Sequence, residues 1–178
     1  MQQRLISTRS ALFAGSLVLF FSPAFADAQF QLPEPPQYRE LGGDPLKSLA
    51  HYKVIWLKDK IFRENTFINS LKRKKKEVPD INKESVDADI KKYQDDIKQD
   101  EQDRDDLADL KAFDPANKKA NANAKLVKGN VERWIATLDS EIKGDQTKPE
   151  EKKEAVANRT NLAKALEDAE KQNPNLFK

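Results

Sequence analysis

Residues 44–76, DPLKSLAHYKVIWLKDKIFRENTFINSLKRKKK, decide the fold. Asp44 is a good helix cap, and Pro45 suits the first helical position, where no N–H is needed. From there Leu46, Ala50, Val54, Leu57, Ile61, Ile68 and Leu71 recur every three, four or seven residues. That period predicts one long helix from Pro45 to about Lys76. Leu49, Tyr52, Ile55, Trp56, Phe62 and Phe67 widen its apolar stripe well beyond one seam. Such a helix has to pack against others or against a partner, because an isolated helix is marginal in water.

The sequence downstream repeats the pattern three times. Val78-Pro79-Asp80 ends the first helix, and a second is expected over about Asn82–Ala112, with Val86, Ile90, Tyr93, Ile97, Leu107 and Leu110 as its stripe. Heptad spacing puts Asp100 and Arg104 on the same seam, four residues apart, as a candidate ion pair. Asp114-Pro115 repeats the cap-plus-proline signal and places a third helix over about Pro115–Lys143, closed by Gly144. Thr147-Lys148-Pro149-Glu150 reads as a capping box for a fourth helix, about Lys148–Gln172, which Asn173-Pro174 stops. Leu176 and Phe177 could then fold back as an apolar clip. No window alternates with period two, so no sheet is expected. Short connections favour antiparallel neighbours, so the fold class is all-α: elongated up-and-down helical hairpins or a four-helix bundle.

Upstream of Asp44 the chain divides in two. Residues 1–26 carry Arg4 and Arg9, an apolar run from Ala11 to Phe21, and Ala24-Phe25-Ala26, the three parts of a cleaved signal peptide. The apolar run falls short of the ~20 residues that a membrane span needs. Residues 27–44 form an extended N-terminal arm, in which Pro33, Pro35 and Pro36 favour polyproline-like backbone and Gly42-Gly43 break any helix. The helical domain is 45–178. Removing residues 1–26 takes away two Arg and no acid, so the +2 formal charge of the full chain belongs to the leader. Leu, Ile, Val and Phe form about 21% of what remains, just above the level at which disorder is the default. The core is expected to be thin.

Composition excludes several chemistries. The chain has no Cys, one His and five Gly, which removes disulfides, thiolate metal sites, covalent haem attachment and cysteine catalysis. His51 has no second His or Cys to complete a metal site. Ser48 lies three residues from His51 without the glycine turn a nucleophile elbow requires. There is no phosphate loop or dinucleotide fingerprint. Glu84–Asp109 holds eleven acids against four bases, yet lacks the turn glycine of a calcium loop, so it reads as a solvated acidic helix face. The near balance of charge argues against a nucleic-acid partner. No catalytic, cofactor-binding or metal-binding residue is assigned, and no cofactor is expected.

Two surfaces remain as interaction candidates. Lys72, Arg73, Lys74, Lys75 and Lys76 could touch anionic lipid headgroups, or could simply complement the negative end of the helix dipole. The aromatic surplus of the first helix, Tyr52, Trp56 and Phe67, together with Phe30, Leu32 and Tyr38 of the arm, is either a wide core face or a patch that docks a partner. Asn158-Arg159-Thr160 matches a glycosylation sequon but falls inside a helix.

The exported, Cys-free chain, with its LPEPPQY arm and LGGDPLK opening a long aromatic helix, resembles the small 15 kDa subunit of the membrane-bound quinoprotein alcohol dehydrogenase of acetic acid bacteria. The similarity covers size class, export signal and the 30–70 region. It implies a three-part periplasmic complex at the inner membrane. In it a quinoprotein subunit oxidises ethanol, a cytochrome c subunit passes electrons on, and this small subunit stabilises or matures the former without cofactor ligands of its own. On either ground the expectation is a non-catalytic periplasmic accessory subunit with a larger protein partner and no transmembrane span. The alternative is a free-standing periplasmic helical chaperone or stress protein.

Overall fold

The computed structural model of the chain describes residues 30–77 and 79–178; the expected signal peptide and the first residues of the arm lie outside them. Among the described residues there are four helices and no strand: α1 (Pro45–Lys74), α2 (Asp80–Ala108), α3 (Ala120–Lys143) and α4 (Pro149–Gln172). The all-α expectation holds. α1 starts where the sequence placed it, with the Asp44 carboxylate accepting from Leu46 N at 2.9 Å and Pro45 in the first turn. Thirty residues make it about 45 Å long.

Cross-helix pairs give the topology. Lys60 meets Asp100, Phe67 meets Tyr93 and Lys75 meets Asp87, so α1 and α2 are antiparallel. Lys128 meets Glu170 and Asp139 meets Arg159, so α3 and α4 are antiparallel as well. Lys53 reaches Asn130 and Trp56 reaches Trp134, which makes α1 and α3 parallel. The result is an up-down-up-down bundle in which α1 contacts all three other helices.

The buried residues form two clusters. The larger joins Leu46, Leu49 and Leu57 of α1 to Val127, Val131 and Trp134 of α3 and to Leu162 and Ala169 of α4. The smaller is a strip between the far halves of α1 and α2: Ile61, Ile68, Val86, Ile90 and Ile97. A fully buried Leu is worth about 1.5–3 kcal/mol, so the first cluster anchors the bundle and the second zips a projecting hairpin. Leu176 is buried against the first cluster with Phe177 packed beside it, so the C-terminus does fold back.

Four local expectations need correction. α3 begins at Ala120, five residues after Pro115. The Asp114 and Asn117 carboxyl and carboxamide oxygens accept from the N–H two residues on, at 2.8 and 2.9 Å, and these two turns use up the segment before the helix starts. α2 ends at Ala108, so Leu110 falls out of helical phase and stands 94% exposed, while Ala112 and Phe113 of the linker enter the core. The side chain of Asn123 holds that linker by donating to Ala112 O at 3.0 Å. Asp100 does lie on the seam, but its partner is Lys60 across the hairpin; Arg104 pairs with its neighbour Asp105. At α4 the capping carboxylate is Glu151, which accepts from Lys148 N, one residue later than the sequence placed it.

Candidate functional site

The segment before α1 has no regular secondary structure, yet its contacts fix its course. Gly42 and Gly43 sit at φ +81° and +82°, a left-handed conformation that costs other residues about 1–2 kcal/mol each. They turn the chain so that the arm runs back along α1, antiparallel to it. Leu41 N donates to Ser48 Oγ, Arg39 exchanges hydrogen bonds with the Tyr52 hydroxyl, Pro33 O accepts from Trp56 Nε1 at 3.1 Å, and Phe30 packs on Phe67 and Tyr93. α4 clamps the middle. Asn158 Oδ1 accepts from Tyr38 N at 2.9 Å and its Nδ2 donates to Pro36 O at 3.1 Å. The sequon asparagine is therefore buried, at 3% exposure, and works as an arm clasp.

These contacts place the six residues considered for docking. Tyr38 is in the core, and Phe30, Tyr52, Trp56 and Phe67 are half-buried against other parts of the chain. Leu32 alone keeps most of its surface free, at 59%. Tyr52, Trp56 and Phe67 of α1 thus hold the arm, while Phe62, 70% exposed, faces outward. In the basic run, Lys75 pairs with Asp87 of α2, while Lys72 and Arg73 are exposed in the last turn of α1. His51 is exposed and lies edge-on to the Tyr52 ring. Ser48 Oγ is buried and already accepts from the arm. Among the described residues no group of three or more His, Cys, Asp or Glu is placed to hold a metal ion, and no helix is long and apolar enough to cross a membrane.

Beneath the arm the structure holds a cleft of about 540 Å³, between Leu32–Pro35, the middle of α1, the end of α2 and one face of α3. Trp56 and Trp134 meet edge to face in it, ring centroids 6.1 Å apart. Behind them Lys53, 3% exposed, donates to Asn130 Oδ1 at 2.8 Å and lies 4.6 Å from the centre of the Trp56 ring. Burial pushes the Lys53 ammonium down to about 8, only partly offset by the charges of Asp100 and Asp103. Arg133 Nη2 donates to the same Asn130 oxygen at 3.3 Å. At the rim, burial raises the Glu141 carboxyl and the charge of Glu34 raises it further.

A second polar group lies farther along the hairpin. Lys60 Nζ is 2.5 Å from Asp100 Oδ2 and 3.4 Å from Glu64 Oε1, and Glu64 is 1% exposed. Burial pushes the Glu64 carboxyl up to about 7; Lys60 pulls it back, and Asp100 and Asp96 push it up again. Lys60 itself stays above its ordinary value, because its hydrogen bond and charge interaction with Asp100 outweigh the opposing effect of burial.

Sequence periodicity missed Lys53, Glu64, Asn130 and Asn158 because it assigns polar residues to the outside. The signal was present. Glu64 shares the phase of Leu57, Ile61 and Ile68, and Asn130 that of Val127, Val131 and Trp134.

The fold and the cleft together define an all-α bundle with an N-terminal strap closed over a polar-backed, tryptophan-walled recess. No known protein family, curated protein or solved structure matches the chain.

Proposed function

We propose that this chain is a non-catalytic accessory subunit, exported to the periplasm, that binds and stabilises or helps assemble a larger enzyme complex. The likeness of its 30–70 region points to a quinoprotein alcohol dehydrogenase with a cytochrome c subunit as that complex. The observation that supports a docking role is the outer face of α1. Ile55 and Phe62, one heptad apart, stay 46% and 70% exposed, with the exposed Lys58 and Arg63 around them. Because α1 is folded against α2 along this stretch, this strip, in which Arg63 pairs with Asp59, is ordered before any partner arrives, which lowers the entropic cost of docking. The exposed Lys72 and Arg73 at the end of the same helix would face an anionic membrane surface if the complex sits there.

The test is affinity purification of the tagged full chain from the periplasm of its native host, beside Phe62→Asp. The reading expects one large partner in fixed stoichiometry, lost in the variant although the variant keeps its thermal midpoint. No stoichiometric partner, combined with suppressed aggregation of unrelated unfolded clients, would replace it with the helical-chaperone reading.

A further inference from the structure

Three side-chain donors line the cleft beneath the arm, and the chain serves one of them. Trp56 Nε1 donates to Pro33 O at 3.1 Å. Trp134 Nε1 and Asn130 Nδ2 have no acceptor among the described residues, although both side chains line the cleft and are only 2–3% exposed. The Asn130 oxygen accepts from Lys53 and Arg133, which leaves the nitrogen of that carboxamide as the unserved atom. A buried N–H left in this way costs about 1–3 kcal/mol.

Net charge does not select an occupant. The lining holds four carboxylates against three cations. Lys60 pairs with Asp100, Lys53 lies in the field of Asp100 and Asp103, and the charge of Glu34 acts on Glu141 at the rim. A charged group brought in would meet a like charge as readily as an opposite one. The unserved atoms call for neutral acceptors, and the arm shows one kind that fits: the Trp56 indole is satisfied by a carbonyl from the run Pro33-Glu34-Pro35-Pro36. Proline brings a carbonyl and no N–H, and a polyproline-like strand leaves its carbonyls free of internal hydrogen bonds. That matches a lining whose unpartnered atoms are all donors. Trp56 and Trp134, edge to face at 6.1 Å, add the aromatic surface on which proline-rich segments dock.

We propose that this cleft is a docking groove for an extended, uncharged, proline-containing segment of another protein. The segment lies between the arm and α3, with its carbonyls on Trp134 Nε1 and Asn130 Nδ2 and its rings against the two indoles. Among the described residues, Leu32–Pro35 make one hydrogen bond, from Trp56 to Pro33. This wall of the cleft can therefore shift outward to let the entering carbonyls reach both donors, while the Asn158 clasp holds Pro36 and Tyr38 in place. The groove does not include Ile55 or Phe62, so it stands or falls without the docking role assigned to the outer face of α1.

Trp56 and Trp134 are the two tryptophans of the chain, and a proline peptide adds no fluorophore, so intrinsic emission reports on this groove. The experiment titrates the full-length protein with hexaproline, acetylated and amidated to remove its charges, beside an equally capped Gly-Ser hexamer and a capped single proline. Hexaproline is expected to change the emission saturably and raise the thermal midpoint. It should bind about tenfold tighter than the Gly-Ser hexamer, whose flexible backbone loses more entropy. Trp134→Phe keeps a ring and removes one donor, and is expected to weaken hexaproline about fivefold, the worth of one hydrogen bond. Leu32→Ser, at a 59% exposed position of the lining, is expected to weaken it at an unchanged midpoint without peptide, which keeps the test valid if Trp134→Phe folds poorly. No response to hexaproline at millimolar concentration while the protein is folded would overturn the assignment. So would equal binding of the Gly-Ser hexamer or of the single proline, the latter marking a small-molecule site. Binding that neither variant weakens would place the peptide elsewhere and overturn it as well.

Discussion

The carboxamide of Asn158, on the last helix, holds the backbone of Tyr38, 120 residues earlier in the chain, with its oxygen at 2.9 Å from Tyr38 N and its nitrogen on Pro36 O. One side chain satisfies a donor and an acceptor of a segment that has no ladder of its own.

Asn158→Ala should therefore destabilise the protein by about 1–3 kcal/mol, the cost of stranding a buried N–H. Urea unfolding measures it. Limited proteolysis separates this from a general loss of stability: cleavage should appear first within residues 30–41, while the helices stay protected.

Trp56→Phe keeps an aromatic wall and removes the donor to Pro33 O. The expected loss is about 0.5–1.5 kcal/mol, with faster amide exchange confined to the arm. A larger loss, spread over α3, would mean that the indole matters chiefly as packing against Trp134.

The Glu64 carboxyl gives a pH signature. Its folded value, about 7, lies above the ordinary 4.5. The folded state thus holds this proton more tightly than the unfolded one, and the associated stability is complete below pH 4.5 and lost as pH rises through 7. Glu64→Gln removes this dependence. Its thermal midpoint should match the parent near pH 4.5 and exceed it by pH 8, where a scan of both proteins shows the gap. Lys60→Met is the opposite case: stripping the cation from Asp100 and Glu64 should cost about 3–5 kcal/mol at pH 7 or above.

Register in the α2–α3 connection can be checked with two leucines. Leu57→Ala, in the fully buried cluster, should cost about 2–5 kcal/mol. Leu110→Ala, at a 94% exposed position, should stay within about 0.5 kcal/mol. Comparable losses at both would restore Leu110 to a helical stripe.

These particulars show what the sequence could carry. The start of α1 was legible because Asp44-Pro45 has a single structural use, capping plus a residue that needs no N–H. Asp114-Pro115 looks the same in sequence, but Asn117 follows, and two side-chain turns outcompete an immediate helix. The four-helix pattern survived because periodicity sums over many residues. The cleft did not come through, because Trp56 fits a wide core face and a docking patch equally well, and periodicity places polar residues such as Lys53 and Asn130 outside. Only the parallel placement of α3 beside α1, a non-local fact, brings them together. The arm aromatics were ambiguous in the sequence for the same reason, since a docking patch for another protein and a docking patch for the chain's own first segment have one composition.

The clasp between α4 and the arm also orders assembly in time. Asn158 is synthesised 120 residues after the Tyr38 backbone it grips. Bringing such distant segments together carries a loop-closure cost that grows with the intervening length, and contacts of this separation form late in folding. The strap is thus expected to close only over a finished bundle. Until then the face of α1 carrying Trp56 and Phe67 is bare, and a nascent chain is for a while a more adhesive molecule than the folded one.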